Sequence, residues 1–436
     1  MSEIPKKTKL KQNKKEQIPK KYTIVETFVG CGGSHIGFDR NNFETVFVND
    51  IWNTSLITLK KNNVNLNENQ IICKDINELC KSNLLEEYNI KKGNLDLLIG
   101  GVVCKGFSLA GVRNPYDDRN YLYISQIKLV EQFRPKVSII ENVPGMKNMK
   151  ILCRNNIAPY SKKLKFNISE SVEDICKQIN TVIENHKINR GKIIAINKKI
   201  SKEETAELLE IKQKLLEEKE ELDSLRKNHE KKLEIYKYSV LEDIEEKYKE
   251  LGYKVYINKL KVSNFGGFTN RIRLIIVAVR NDIDKEWVWP DFMNDNNDES
   301  LPNLLTVKDA FNLLDDSINN PEVDIDNQPM NHRESTVEKF KKITCDNKSG
   351  GFSSRGTSNR LNIDKPAPTL VPGHSSFQIH PTEHRSITVR EGATISGFPI
   401  DYKFYGSHSD RCMQIGNAIP IQLGEILAKS VRKLLE

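Results

Sequence analysis

Leu95-Asp96-Leu97-Leu98-Ile99-Gly100-Gly101-Val102-Val103-Cys104-Lys105-Gly106-Phe107-Ser108 is the stretch on which the fold turns. Its first half is an apolar run closed by glycines, the pattern of a strand buried on both faces of a parallel sheet. Its second half sets a thiol, Cys104, just past that strand's carboxyl end. In open α/β sheets ligands bind at this edge, and flanking glycines let backbone and ligand approach closely. Cys104 is therefore a candidate nucleophile, set against the commoner fate of a free cysteine as inert packing.

Upstream, the run Tyr22 to Phe28 reads as a strand and passes into Val29-Gly30-Cys31-Gly32-Gly33-Ser34-His35-Ile36-Gly37-Phe38, a glycine-rich turn and a helix start. The next strand, Glu44 to Val48, ends in Asn49-Asp50, where a carboxylate about 20 residues past the glycines would meet ribose hydroxyls. Ile71 to Ile76 is a third strand with an acid, Asp75, near its end. Downstream, a loop from Leu109 to Asn120 leads into a helix from about Tyr121 to Phe133, then a strand, Lys136 to Ile140, closing on Glu141-Asn142-Val143-Pro144. Strand and helix alternating in this way predict a doubly wound parallel sheet.

The remaining segments differ in composition. Residues 1–21 hold eight lysines against two glutamates and read as a disordered basic arm. The catalytic domain is expected over 22–149, resumed at 239–280 and closed by 385–436. Between its first two parts, 150–238 is rich in Lys and Glu, with Leu208, Ile211, Leu215, Leu222 and Leu225 at heptad spacing, and reads as a coiled-coil-like helical hairpin. Strands around Lys254 and from Leu274 to Val279 follow, with Arg271 and Arg273 on one side of an extended segment. Residues 281–384 are polar and loop-rich, a separate recognition domain in which Arg355 and Arg360 could reach bases or phosphates.

With 436 residues the chain can bury a full core. Its eight cysteines form no C-x-x-C pair, which predicts reduced thiols and no metal site. No window nears 18 apolar residues and no signal peptide is evident, so a soluble cytoplasmic protein without membrane contact is expected. The net charge of +8 suits a polyanionic partner such as nucleic acid.

Taken in order, Phe28-x-Gly30-x-Gly32-Gly33, Gly100-Gly101-x-x-Cys104, Glu141-Asn142-Val143, Arg271-x-Arg273, Arg390-Glu391 with Gly397-Phe398-Pro399, and Gly416-Asn417-Ala418-Ile419-Pro420 closely resemble the DNA (cytosine-5)-methyltransferases over about residues 22–433. The resemblance implies a Rossmann-like class I methyltransferase domain with a smaller target-recognition domain, using S-adenosylmethionine, yielding S-adenosylhomocysteine, and needing no metal. It implies double-stranded DNA as substrate, bound by a monomer, with a restriction endonuclease as companion. Cys104 matches the thiol that adds to cytosine C6, and Glu141 and Arg273 match the groups that meet N3 and O2, with Arg271 supporting the loop. Since C5 is inaccessible in a duplex, the base would be flipped into the pocket.

On the cofactor side the resemblance points to Phe28, Gly30, Gly32, Gly33, Asp50, Ile51, Asp75, Ile76, Gly100, Leu122, Asn417 and Ala418. Lys105, Ser108, Arg113, Arg355, Arg360 and Thr369 are the expected DNA contacts. The chain departs from the family's usual pattern at Val102 and Val103, where two prolines are common, at Lys105 and Thr269, where glutamines are common, and at Ile51, where an aromatic or other bulky residue often stacks on adenine. An RNA-directed cytosine-5 methyltransferase and a catalytically silent DNA-binding protein of the same fold are the alternatives.

Overall fold

The computed structural model describes residues 20–102, 118–152, 170–201, 203–314, 324–345, 359–370 and 377–436. Among the described residues seven strands form one sheet: β1 (Tyr22–Thr27), β2 (Phe43–Asp50), β3 (Ile71–Cys73), β4 (Leu97–Gly101), β5 (Val137–Asn142), β8 (Tyr253–Lys261) and β9 (Ile272–Arg280). Two short strands, β6 (Lys150–Leu152) and β7 (Lys237–Ser239), pair separately. The large sheet runs β3-β2-β1-β4-β5-β9-β8.

From β3 to β5 every pairing is parallel, as expected. The parallel arrangement read from the first five strands does not extend to β9, which lies antiparallel to both β5 and β8, so the sheet is mixed. The reason is local. Only residues 262–271 join β8 to β9, too few for the crossover that parallel neighbours require, so the chain turns back through Val262–Phe265 and Gly266 at φ 78°. A second difference is at β3, which stops at Cys73. Asp75 instead caps a short helix, Ile76–Leu79, by accepting a hydrogen bond from the Asn77 backbone N–H.

Strand order reverses between β1 and β4, which are neighbours, and this is the switch point where a crevice opens at the carboxyl ends. Successive residues feed opposite faces of the sheet. Leu98 and Ile140 pack with Ile127, Val130 and Phe133 of the helix Leu122–Phe133 and with Ile244 and Tyr248 of the helix Val240–Glu250. Leu97, Ile99, Val137 and Ile139 pack with Leu423, Leu427 and Val431 of the C-terminal helix Ile421–Leu435. A third cluster joins Cys31 and Ile36 to Val307, Leu361, Leu370 and Phe377 and to the helix Val389–Ile395.

The hairpin expected from 150–238 forms as helices Glu170–Ile200 and Ala206–Leu233. Leu215 and Leu222 are buried in its seam, whereas Ile211 and Leu225 are 38% and 42% exposed. A two-helix pair has one seam to fill, and those two positions lie off it. The β6–β7 pair at its base has no counterpart in the sequence reading.

Candidate active site

Two strand ends build the two sides of the crevice. After β1 the chain turns through Phe28 at φ 53° and Gly30 at φ 57°, both left-handed. A Cβ on Gly30 would meet nothing within 4 Å, so the residue is selected by its backbone angle. The turn is tied to the end of β2: the Gly30 N–H donates to Asp50 Oδ2 at 2.8 Å, and the Trp52 N–H donates to Asp50 Oδ1 at 2.8 Å. Burial pushes the Asp50 carboxyl above its ordinary pKa, and the backbone N–H groups of Trp52, Gly30 and Ile51 oppose that shift.

The other side comes from β5 and β9. Arg273 Nε lies 2.6 Å from Glu141 Oε1, both side chains nearly buried. Arg271 Nη1 donates to the Gly416 carbonyl at 2.6 Å, holding the C-terminal segment against the sheet. Its loop is braced by strand-like contacts, with the Asn270 N–H donating to the Ala367 carbonyl at 2.7 Å and the Ala367 N–H to that of Phe268 at 2.8 Å. Asn142 Nδ2 donates to the Val102 carbonyl at 3.1 Å and Asn142 Oδ1 accepts from the Val143 N–H at 2.8 Å, so the end of β5 fixes the exit of β4.

A cleft of about 680 Å³ joins the two sides. Of the residues singled out from sequence, Phe28, Gly30, Asp50, Ile51, Asp75 and Ile76 line it, as do Leu122, Asn417 and Ala418. Glu141, Arg271, Arg273 and Thr369 line it too. Gly32, Gly33 and Gly100 stand behind the lining. A Cβ on Gly33 would come within 2.2 Å of the Ile419 carbonyl oxygen, and one on Gly100 within 2.6 Å of Thr27 Oγ1. Gly32 takes φ 90° at the cap of the helix Gly33–Asp39.

Arg360 is engaged away from the cleft. Its guanidinium donates to the backbone carbonyls of Phe340, Ile343, His380 and Glu383, clasping the loop segments around it. Cys104, Lys105, Ser108, Arg113 and Arg355 lie outside the described residues.

The sequence reading passed over Trp52, Asn77 and Met413 and gave Lys74, Asp118 and Arg119 no site role, yet all six line the cleft. Trp52 carried a usable signal, a large aromatic directly after the strand-end pair Asp50-Ile51; Ile51 itself is 65% exposed. Met413 comes from the helix His408–Asn417, and nothing local to the sequence places that helix beside β1.

The family description "C-5 cytosine-specific DNA methylase" matches residues 22–238 and 228–433. The chain belongs to that family. The methylase is 25% identical over 460 residues to the Type II methyltransferase M.Eco47II of Escherichia coli, spanning 100% of this chain and 83% of the relative. To the Type II methyltransferase M.DdeI of Desulfomicrobium norvegicum it is 26% identical over 423 residues, 94% of this chain and 88% of the other. Among solved structures, a prophage-encoded E. coli protein described as a DNA modification methyltransferase superposes with TM-score 0.56 at 18% identity, covering 95% and 99% of the two chains. The Dnmt2 methyltransferase of S. pombe gives 0.52 at 13%, covering 95% and 98%. These likenesses concern the fold; the family match makes the methylase a DNA cytosine-5 methyltransferase. Among the described residues no group of His, Cys, Asp and Glu is arranged to hold a metal, and no helix is long and apolar enough to cross a membrane.

Proposed function

We propose that the cleft binds S-adenosylmethionine on its β1–β2 side and a flipped cytosine on its β5–β9 side. One observation carries this reading: the Gly30–Asp50 turn and the Glu141–Arg273 pair face a single cavity at the switch point of the sheet. The cofactor side fits such a group, because the left-handed Gly30 leaves open space and Asp50, a half-buried carboxylate at the cavity wall, suits a ribose hydroxyl. Phe28, Ile51, Asp75 and Ile76 would border the adenine, and Leu122, Asn417 and Ala418 would complete the enclosure. Bound there, S-adenosylmethionine supplies an electrophilic methyl group.

The chain's own residues act on the base. The Cys104 thiolate adds to C6 and makes C5 nucleophilic. Glu141 holds a proton at N3, and Arg273, which orients that carboxylate, stabilises charge at O2. Arg271 keeps the loop and the Gly416 backbone in place. C5 would then take the methyl group with release of S-adenosylhomocysteine, the C5 proton would pass to solvent, and cleavage of the C6–S bond would return the Cys104 thiolate.

The relatives named Type II methyltransferases favour a modification role in a restriction system, with DNA as the substrate. Transfer of labelled methyl to duplex DNA, compared with transfer RNA, tests the reading. Label is expected in DNA; label in RNA alone would overturn it. In the same assay Cys104→Ala should abolish turnover while cofactor binding persists, and retained turnover would mean another nucleophile.

A further inference from the structure

We infer that the helical hairpin is a second DNA-contacting arm, with the first helix presenting a cationic face to the phosphates of duplex flanking the methylated site. The inference rests on duplex DNA being the substrate. It starts from topology. β5 is parallel to β8, and the chain between them crosses back through the helix Val240–Glu250. The hairpin is inserted before that helix, on the chain that leaves β5 through Glu141-Asn142, the turn Pro144–Asn148 and the short strand β6. It therefore leaves the sheet at the carboxyl edge, the edge that opens onto the cleft. Its base is fixed there: the Val240 N–H donates to the Met149 carbonyl at 3.2 Å, and Tyr123 Oη bonds Tyr238 Oη at 3.0 Å and Asp243 Oδ2 at 2.7 Å.

Positive charge is concentrated in the later half of the first helix. From 185 to 202 the sequence holds Lys187, Arg190, Lys192, Lys198, Lys199 and Lys202 and no carboxylate. The helix Ala206–Leu233 is instead mixed, with Lys212, Lys214, Lys219 and Arg226 interspersed among Glu207, Glu210, Glu217, Glu218, Glu220 and Glu221. On the first helix His186, Asn189, Ile193, Ile196 and Ile200 are the less exposed positions and mark the side packed on the second helix. There Asn189 donates to the Leu215 carbonyl at 3.1 Å and to Glu218 Oε2 at 2.8 Å, and His186 lies 3.2 Å from Asp223. Lys187, Arg190, Lys192, Lys198 and Lys199 are exposed on the remaining arc. Among the described residues Lys187 pairs with Glu184, and Arg190, Lys192, Lys198 and Lys199 have no ion-pair partner.

Gly191 sits on the same arc, and a Cβ there would meet nothing within 4 Å. Glycine inside an exposed helix is less favourable than alanine, and no intramolecular packing requires it here; it leaves the helix backbone open to close approach. The first helix has 31 residues, about 46 Å at 1.5 Å per residue, longer than one turn of B-DNA. A duplex presents one negative charge per about 1.7 Å of axis, so an arm of this length meets several phosphates beyond the target.

The test uses the full chain and its Lys192→Gln/Lys198→Gln/Lys199→Gln variant, with duplexes of about 14 and about 60 base pairs of shared sequence, binding being measured against salt. On the longer duplex the variant is expected to bind about tenfold or more weakly at physiological salt, with the slope of log K against log salt reduced by about two to three. The short duplex and the maximal methyl-transfer rate should be unaffected, and the Lys→Arg triple should restore long-duplex binding. An unchanged slope and affinity on the long duplex would overturn the inference, as would an equal loss at both lengths or a loss confined to transfer RNA. Failure of the wild-type chain to methylate any DNA would instead strike the functional reading beneath it.

Discussion

Asp50 accepts from two backbone N–H groups, so it holds the glycine turn as well as facing the cleft. Asp50→Ala removes both bonds, and at about 1.5–3 kcal/mol per charged hydrogen bond the variant should bind S-adenosylhomocysteine at least tenfold more weakly by titration calorimetry. Glu141→Gln keeps the shape but leaves the Arg273 cation nearly buried without its counter-charge. Methyl transfer should fall about 10²–10⁴-fold while cofactor binding is retained. Beneath the turn, His35 Nδ1 lies 2.7 Å from Glu26 Oε1, and Ser34 Oγ donates to Glu26 Oε2 at 3.0 Å. Burial alone would lower the His35 pKa, but the Glu26 charge and hydrogen bond outweigh it and the net shift is upward. Its stabilising contribution is therefore complete below the unfolded value of about 6.5 and is lost as pH rises through the higher folded value. Urea denaturation should show that loss on the alkaline side in the wild type and not in His35→Gln.

Asp50, Glu141 and Arg273 were legible in sequence because each stands at a strand end beside a strong local pattern. Met413 was not, since its place in the cleft depends on tertiary packing, whereas Trp52 is marked by its position just past a strand end.

At the scale of elements, a heptad of leucines made the hairpin readable, and Leu215 and Leu222 fill its seam. Its anchoring is held in contacts that periodicity does not encode. β6 and β7 are three residues each, too short for an alternation signal, and the Tyr123–Tyr238–Asp243 cluster links residues about 120 apart in the chain. Tyr238→Phe removes one hydroxyl from that buried cluster, and leaving its partners short of a bond costs about 1–3 kcal/mol by thermal or chemical unfolding. The direction of β9 is open in sequence for a similar reason. Strand composition identifies Leu274–Val279 as buried without fixing its direction, which the short 262–271 connection decides.

Across the whole molecule, the carboxyl-terminal segment returns to the first strand. Leu423, Leu427 and Val431 cover the sheet face formed by Leu97, Ile99, Val137 and Ile139, while Gly416, Asn417, Ala418 and Ile419 line the cleft. Site and core thus share one closing element. Leu423→Ala should cost about 2–5 kcal/mol of stability in chemical denaturation and weaken cofactor binding with it. The ordered motifs made this return legible as family pattern, and the close approach of Gly33 to Ile419 is the physical contact that makes it necessary. The central claim is that this cleft methylates C5 of cytosine in DNA, and its most direct test is bisulfite sequencing of plasmid DNA treated with the protein and S-adenosylmethionine. The account predicts 5-methylcytosine recurring within one short sequence and absent with Glu141→Gln; DNA free of 5-methylcytosine after treatment with the folded wild-type protein would contradict it.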